Sequence, residues 1–209
     1  MAGQVSIVGI GGSLDGSSSS LAALKITMGA AQAAGARTTV LDLHDLKLPM
    51  YEPTLEATPS VQQLVAAVRD ADGLIWSSPL YHGTISGAFK NALDWLELLQ
   101  RDDPPYLTDK VVGLISTAGG AQGLQAINTM EFIVRSLRGW TIPLVVPVAN
   151  AWQAFEADGR AKDPAVEKLL RALGSEVVRS AGVFALGGAT TADAQEAEGV
   201  LNPVYSPGA

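Results

Sequence analysis

The sequence predicts an α/β fold, a doubly wound five-stranded parallel sheet in a single domain. Three observations predict it. Five short apolar runs alternate with longer stretches whose apolar residues recur at helical spacing. Runs of that kind belong to parallel strands covered on both faces. No internal repeat or linker divides the chain, and right-handed crossovers then leave the doubly wound arrangement.

The elements follow in order. Residues 4–10 (QVSIVGI) are β-branched and apolar, and a glycine-rich stretch closes them. Residues 19–34 read as a helix with Gly35 as its stop. Residues 38–43 (TTVLDL) form the second strand, followed by a loop around Pro49, Tyr51 and Pro53 and a helix over 60–69. Residues 73–78 (GLIWSS) are the third strand, ending at Pro79, and a helix spans 85–100. A strand over 110–117, a helix over 124–137 and a strand over 140–148 come next. Pro143 and Pro147 send that last strand to a sheet edge, where a missing N–H is tolerated. An amphipathic helix over 163–181 closes the domain, assigned to residues 1–186. Residues 187–209 are small, acidic and proline-containing, and read as a flexible tail or a strap onto a neighbouring subunit.

Composition removes whole classes of function. With 47% hydrophobic and 17% charged residues the chain builds a sizeable core, which excludes a disordered protein. Zero cysteines exclude disulfide scaffolds, thiol nucleophiles, thiolate zinc and iron–sulfur clusters. The two histidines, His44 and His82, argue against a multi-histidine metal site. A net charge of −7 argues against nucleic acid. No apolar run reaches the ~18 residues of a membrane span, and no secretory signal is visible, so the expected setting is the cytoplasm.

In an open parallel sheet, ligands bind beyond the carboxyl ends of the strands. Three loops follow strand ends here. Gly11 to Ser20 runs from a strand into a helix N-terminus, where free N–H groups, glycines and serine hydroxyls suit an anion. It is neither GxGxxG nor a Walker loop. A phosphate cup without lysine or arginine and a solvated serine turn both remain open for it. Asp15 opposes a phosphate unless it faces outward or caps an amide.

The second loop, Pro79 to Gly87, places Tyr81 and His82 at the crevice, which suits a flat heteroaromatic ligand. Lone histidines more often pack or hydrogen-bond than catalyse, and Lys90, Asn91 and Asp94 fit structural contacts on a helix face. The third, Thr117 to Gly123, lets the main chain of Gly119 and Gly120 meet a ligand unobstructed, or merely makes a tight turn.

Together these residues resemble the NAD(P)H-dependent FMN reductase family, which has a flavodoxin-like fold. The likeness rests on Gly12-Ser13-Leu14 with Ser18 and Ser20, on Pro79-Leu80-Tyr81-His82-Gly83 leading into residues 86–95 (SGAFKNALDW), and on Thr117-Ala118-Gly119-Gly120. The resemblance implies an FMN held across the three loops. Ser13, Ser18 and Ser20 would take the phosphate, and Pro79, Leu80, Tyr81, His82 and Gly83 would border the ribityl chain and ring. Thr117, Gly119 and Gly120 would lie against the pyrimidine side. It also implies NAD(P)H as co-substrate, a small-molecule electron acceptor or a flavin-dependent monooxygenase as partner, and a homodimer or homotetramer. Many members carry an arginine where this chain has Asp15, which bears on flavin retention and on NADPH preference.

Other readings stay in view. A flavodoxin-type electron carrier shares the fold and cofactor. A prosthetic-FMN enzyme for one quinone, azo compound or metabolite differs only in its outer wall, for which Met50-Tyr51 and residues 151–155 (AWQAF) are the candidates. A receiver module lacks its acidic cluster here, and a serine hydrolase lacks its Gly-x-Ser-x-Gly elbow.

Overall fold

The computed structural model describes residues 4–11 and 13–195, with residues 186–195 as backbone only. The sheet is built from β1 (Ser6–Gly11), β2 (Arg37–Asp42), β3 (Gly73–Tyr81), β5 (Val111–Thr117) and β6 (Trp140–Val148), in the order β2-β1-β3-β5-β6. All four of those pairings are parallel, and a two-residue β4 (Thr84–Ile85) turns back antiparallel on β3. β6 is an edge strand, as its prolines require, and its register against β5 slips between Val112 and Leu114, opposite Pro143.

Alternation along β3 shows how the two faces are covered. Leu74 and Trp76 enter a core with Val61, Leu64, Phe89, Leu96 and Met130, under α3 (Pro59–Arg69), α4 (Gly87–Asp94) and α5 (Leu124–Ser136). Ile75 enters the other with Leu24, Met28, Leu173 and Val177, under α1 (Ser19–Ala33) and α6 (Pro164–Gln195). Strand order reverses between β1 and β3, so the crevice above their carboxyl ends is the switch point where such sheets take ligands.

Several local expectations change. β3 runs three residues past Ser78, because Pro79 pairs only towards Thr117 of β5 and Leu80 and Tyr81 find partners in β4. The expected helix over 85–100 starts later, at Gly87, since Ser86 caps it by accepting the Phe89 N–H at 3.1 Å. It tightens into a 3₁₀ turn at Trp95–Leu99. A short α2 (Leu43–Leu46) continues β2, with Asp42 accepting the His44 amide. α6 continues helical to Gln195, past the expected end at Ala181, and Asp163 accepts the Ala165 N–H at its start. Residues 196–209 of the expected tail lie outside the described residues. Among the described residues, no helix is long and apolar enough to cross a membrane.

Candidate functional site

A cavity of about 410 Å³ opens above the switch point. Its lining comes from four places: Ser13, Asp15 and Ser17–Ser20 between β1 and α1, Pro79–Tyr81 at the end of β3, Thr117–Gly119 after β5, and Ala151–Trp152 after β6. Beneath it, serine and threonine side chains are buried where strands normally end in apolar residues. Ser77 Oγ donates to the Ser20 carbonyl at 2.7 Å, and Ser116 Oγ donates to the Gly123 carbonyl at 2.7 Å. Ser78 Oγ accepts the Ser86 N–H at 3.1 Å and donates to the Pro79 carbonyl at 3.0 Å. These bonds satisfy hydroxyls that would otherwise be costly to bury; Ser77 ties the end of β3 to the serine loop, and Ser78 and Ser116 brace their own loops.

The serine loop resolves into two halves with different work. In the outer half, Ser13 Oγ accepts the Asp15 N–H at 3.1 Å, and Asp15 Oδ1 accepts both the N–H and the Oγ–H of Ser17, at 2.9 and 2.8 Å. Asp15 is exposed and its pKa lies below the ordinary carboxylate value, first because of the Ser17 amide and then the Ser17 hydroxyl. It therefore caps an amide and faces out, the one arrangement in which a carboxylate beside an anion site is tolerable.

In the inner half, Ser18 precedes α1 but makes no capping bond to it. Its Oγ lies 2.6 Å from Ser20 Oγ instead. A serine at this position usually satisfies a first-turn N–H. Among the described residues no side chain caps those amides, and one hydroxyl of the pair keeps its proton for an outside acceptor.

At the second wall, Tyr81, His82, Gly83 and Thr84 form the turn of the β3–β4 hairpin. His82 has φ 49° and Gly83 φ 86°, the left-handed pair a two-residue turn requires. Tyr81 is 53% exposed at the cavity mouth. At the third wall, Ala118 is held on both sides, its N–H donating to the Val148 carbonyl and its carbonyl accepting the Ala151 N–H, each at 2.9 Å. Among the described residues, the amides of Gly119 and Gly120 have no acceptor.

Of the residues singled out from sequence, Ser13, Ser18, Ser20, Pro79, Leu80, Tyr81, Thr117 and Gly119 meet in this cavity. His82, Gly83 and Gly120 stand in the adjoining turns and do not line it. Ser17 and Ser19 line it without having been singled out, because one serine among four carries no signal of its own, and Ala118 and Ala151 line it as members of the 117–120 and 151–155 stretches. The outer-wall candidates separate: Trp152 lines the cavity, whereas Phe155 packs on the core beside α6.

Tyr51 stacks edge-on against Trp95 at 5.1 Å and belongs to the fold. Its loop is held by Asn91, whose Oδ1 accepts the Tyr51 N–H at 2.7 Å while its Nδ2 donates to the Pro49 carbonyl. Lys90 pairs with Asp94. Met50, 77% exposed, lines a separate apolar cavity of about 200 Å³ with Leu14, Leu43 and Leu48.

A phosphate monoester fits the inner half of the loop, where hydroxyls and helix amides converge and no lysine or arginine is among the lining residues. Tyr81 and Gly119 both line the cavity, and a Cβ on Gly119 would meet nothing within 4 Å. Among the described residues, the lining holds no lysine, arginine, histidine or cysteine.

Comparison with known proteins gives the same direction. The "NADPH-dependent FMN reductase ArsH" of Rhizobium meliloti (strain 1021) is 35% identical over 128 residues, 61% of this chain and 52% of the relative. The "FMN-dependent NADPH-azoreductase" of Staphylococcus haemolyticus (strain JCSC1435) is 32% identical over 134 residues, 56% of this chain and 68% of the relative. The chain thus spans about half the length of the ArsH relatives it matches. Among solved structures, the flavoenzyme NAD(P)H:(acceptor) oxidoreductase FerB of Paracoccus denitrificans superposes with a TM-score of 0.69 at 23% identity. That superposition covers 86% of this chain and 98% of FerB, and at this identity it speaks for the fold. The family model for NADPH-dependent FMN reductase matches residues 5–153, which include every loop of the cavity, and this chain belongs to that family.

Proposed function

We propose that this protein seats FMN across the three loops, takes a hydride from NADPH and passes the electrons to a small-molecule acceptor. Family membership supports the reaction class. The observation that carries the site is the serine loop, whose hydroxyl pair and uncapped helix amides converge on a cavity beside a free glycine backbone.

In this reading Ser13, Ser18 and Ser20 take the phosphate with the first-turn amides of α1. Pro79, Leu80 and Tyr81 border the ribityl chain and ring, with His82 and Gly83 shaping the turn behind them. Thr117, Gly119 and Gly120 meet the pyrimidine edge, where the two free amides stabilise negative charge. Bound FMN supplies the hydride and electron chemistry. The chain's part is to bind, orient and shield, and no side-chain acid is required.

Residues 1–186 act as one flavodoxin-like domain, and the working unit is a homodimer or homotetramer. Exposed Leu14 and Met50 share one apolar cavity, which supports association through that face. The cytoplasm, where reduced nicotinamide is held, is the setting. A quinone or azo compound is the acceptor if flavin stays bound through turnover, and a monooxygenase fed by reduced flavin is the partner if it leaves.

The test is the absorption spectrum of the purified protein supplied with FMN, followed by NADPH addition under nitrogen. Bleaching of the flavin band faster than in a protein-free control is expected. Bound flavin that NADPH does not bleach would make the protein an electron carrier, and absence of FMN binding removes the whole reading.

A further inference from the structure

Trp152 stands apart from the other three tryptophans. Trp76 and Trp95 are buried, and Trp140 lies against Phe184 at 5.6 Å. Trp152 is 76% exposed and, among the described residues, has no aromatic partner. An indole left in water usually marks a contact made with something else.

The backbone beneath it is held firmly. Asn150 adopts the left-handed conformation (φ 49°, ψ 43°) and turns the chain sharply after β6 into the 3₁₀ turn Ala151–Gln153. The Ala151 N–H donates to the Ala118 carbonyl at 2.9 Å, and the Gln153 N–H returns to the Asn150 carbonyl at 3.0 Å. Ser19, the first residue of α1, donates its hydroxyl to the Ala151 carbonyl at 2.7 Å. That last bond joins positions 132 residues apart and clips the Trp152 turn to the serine loop. A side chain kept in water on a backbone fixed at both ends is prepared for a ligand rather than for the core.

Trp152 also lines the cavity together with Ser17, Ser18, Ser19 and Ser20, and the Ser19–Ala151 bond sets its turn beside that loop. The lining there holds one carboxylate and no cation. Neutral donors hold a phosphate well only when water is kept from competing, because a hydrogen bond to charge strengthens as the local dielectric falls.

We infer that Trp152 is the cover of the phosphate seat: its indole closes over the bound phosphate, held in place by the Ser19–Ala151 clip, and retains FMN without an arginine. The inference rests on the FMN reading above and adds a binding residue to it. The ring's bulk supplies the shielding, so another aromatic serves as well.

Wild type, Trp152→Ala and Trp152→Phe are titrated with FMN and with riboflavin, which lacks the phosphate. Trp152→Ala is expected to weaken FMN roughly tenfold or more, the scale of one charge-assisted bond, and to leave riboflavin affinity within about threefold. Trp152→Phe should retain FMN affinity within about threefold of wild type. Ser19→Ala should give a smaller loss with the same preference for FMN. The side chain is exposed, so the melting temperature of the flavin-free variants should match wild type. Equal losses for FMN and riboflavin, no loss in Trp152→Ala, or a Phe variant as weak as the Ala variant each overturn the cover. Ser19→Ala without loss overturns the clip. If wild type itself binds no FMN, the underlying reading fails rather than this inference.

Discussion

Two serine hydroxyls 2.6 Å apart act as a unit, since one spends its proton on the other and only one remains to donate outward. Replacing Ser18 and Ser20 together with alanine should weaken FMN by about 1 kcal/mol for the one outward hydrogen bond, rising towards ~3 kcal/mol where the phosphate accepts. Because Ser18 caps nothing, the same double variant should unfold at the wild-type denaturant concentration, and isothermal titration set beside a urea melt checks both halves. Asp15 makes the opposite kind of contribution. Its carboxylate holds the outer turn through Ser17, and its lowered pKa keeps that turn intact above the usual carboxylate range. The carboxylate's contribution to the turn is lost as pH falls through that lowered value. Asp15→Arg should tighten FMN by about fivefold at most, the limit for an exposed charge, and make binding salt-sensitive. FMN titrations at low and high potassium chloride test this, and an unchanged affinity would place residue 15 outside the reach of the phosphate.

The elements hold these residues through close packing of α1 on α6. Gly174 faces the α1 backbone so tightly that a Cβ there would lie 2.2 Å from the Thr27 carbonyl oxygen, whereas a Cβ on Gly29 meets nothing within 4 Å. The same substitution should therefore have opposite signs. Gly174→Ala must push the helices apart and should cost about 1–3 kcal/mol. Gly29→Ala lies on an exposed helix face and should stabilise by up to ~1 kcal/mol. Chemical denaturation of both variants measures this. Since α1 also carries the serine loop at its N-terminus, Gly174→Ala should weaken FMN binding as well, and Gly29→Ala should not. Element boundaries were legible at some breakers and caps, as Gly35 after α1 and Asp163 before α6 show, although the caps Asp42 and Ser86 gave no such signal. The β3–β4 hairpin was not. Its pairing needs Leu80 and Tyr81 to overrun the sheet, and only their antiparallel partners, Ile85 and Thr84, reveal that.

For the whole molecule, a ligand bound at the switch point stabilises the fold by mass action. At a free FMN concentration about a hundred times its dissociation constant, the gain is about 2.7 kcal/mol. For a chain of this size that corresponds to a rise in melting temperature of about 5–10 °C. Differential scanning calorimetry at rising FMN concentration should show the shift growing with the logarithm of concentration, and riboflavin at the same concentration should give less. A melting temperature indifferent to FMN would show that the cavity does not bind it.

The fold class, the five parallel strands, the edge position of β6 and the three ligand loops were all present in the sequence, because each depends on a local property. Hydrophobic period, proline's missing N–H and glycine or serine at a strand end act within a few residues. What only the tertiary structure decided is which side chains share one cavity and what each does there. Ser18 turning from its helix to Ser20, Asp15 occupied by Ser17, and Ala151 clipped to Ser19 are choices among competing hydrogen-bond partners. The Ser19–Ala151 bond joins segments 132 residues apart, and no local pattern encodes such a distance, whereas the other two pair residues only two apart and are choices among competing local partners.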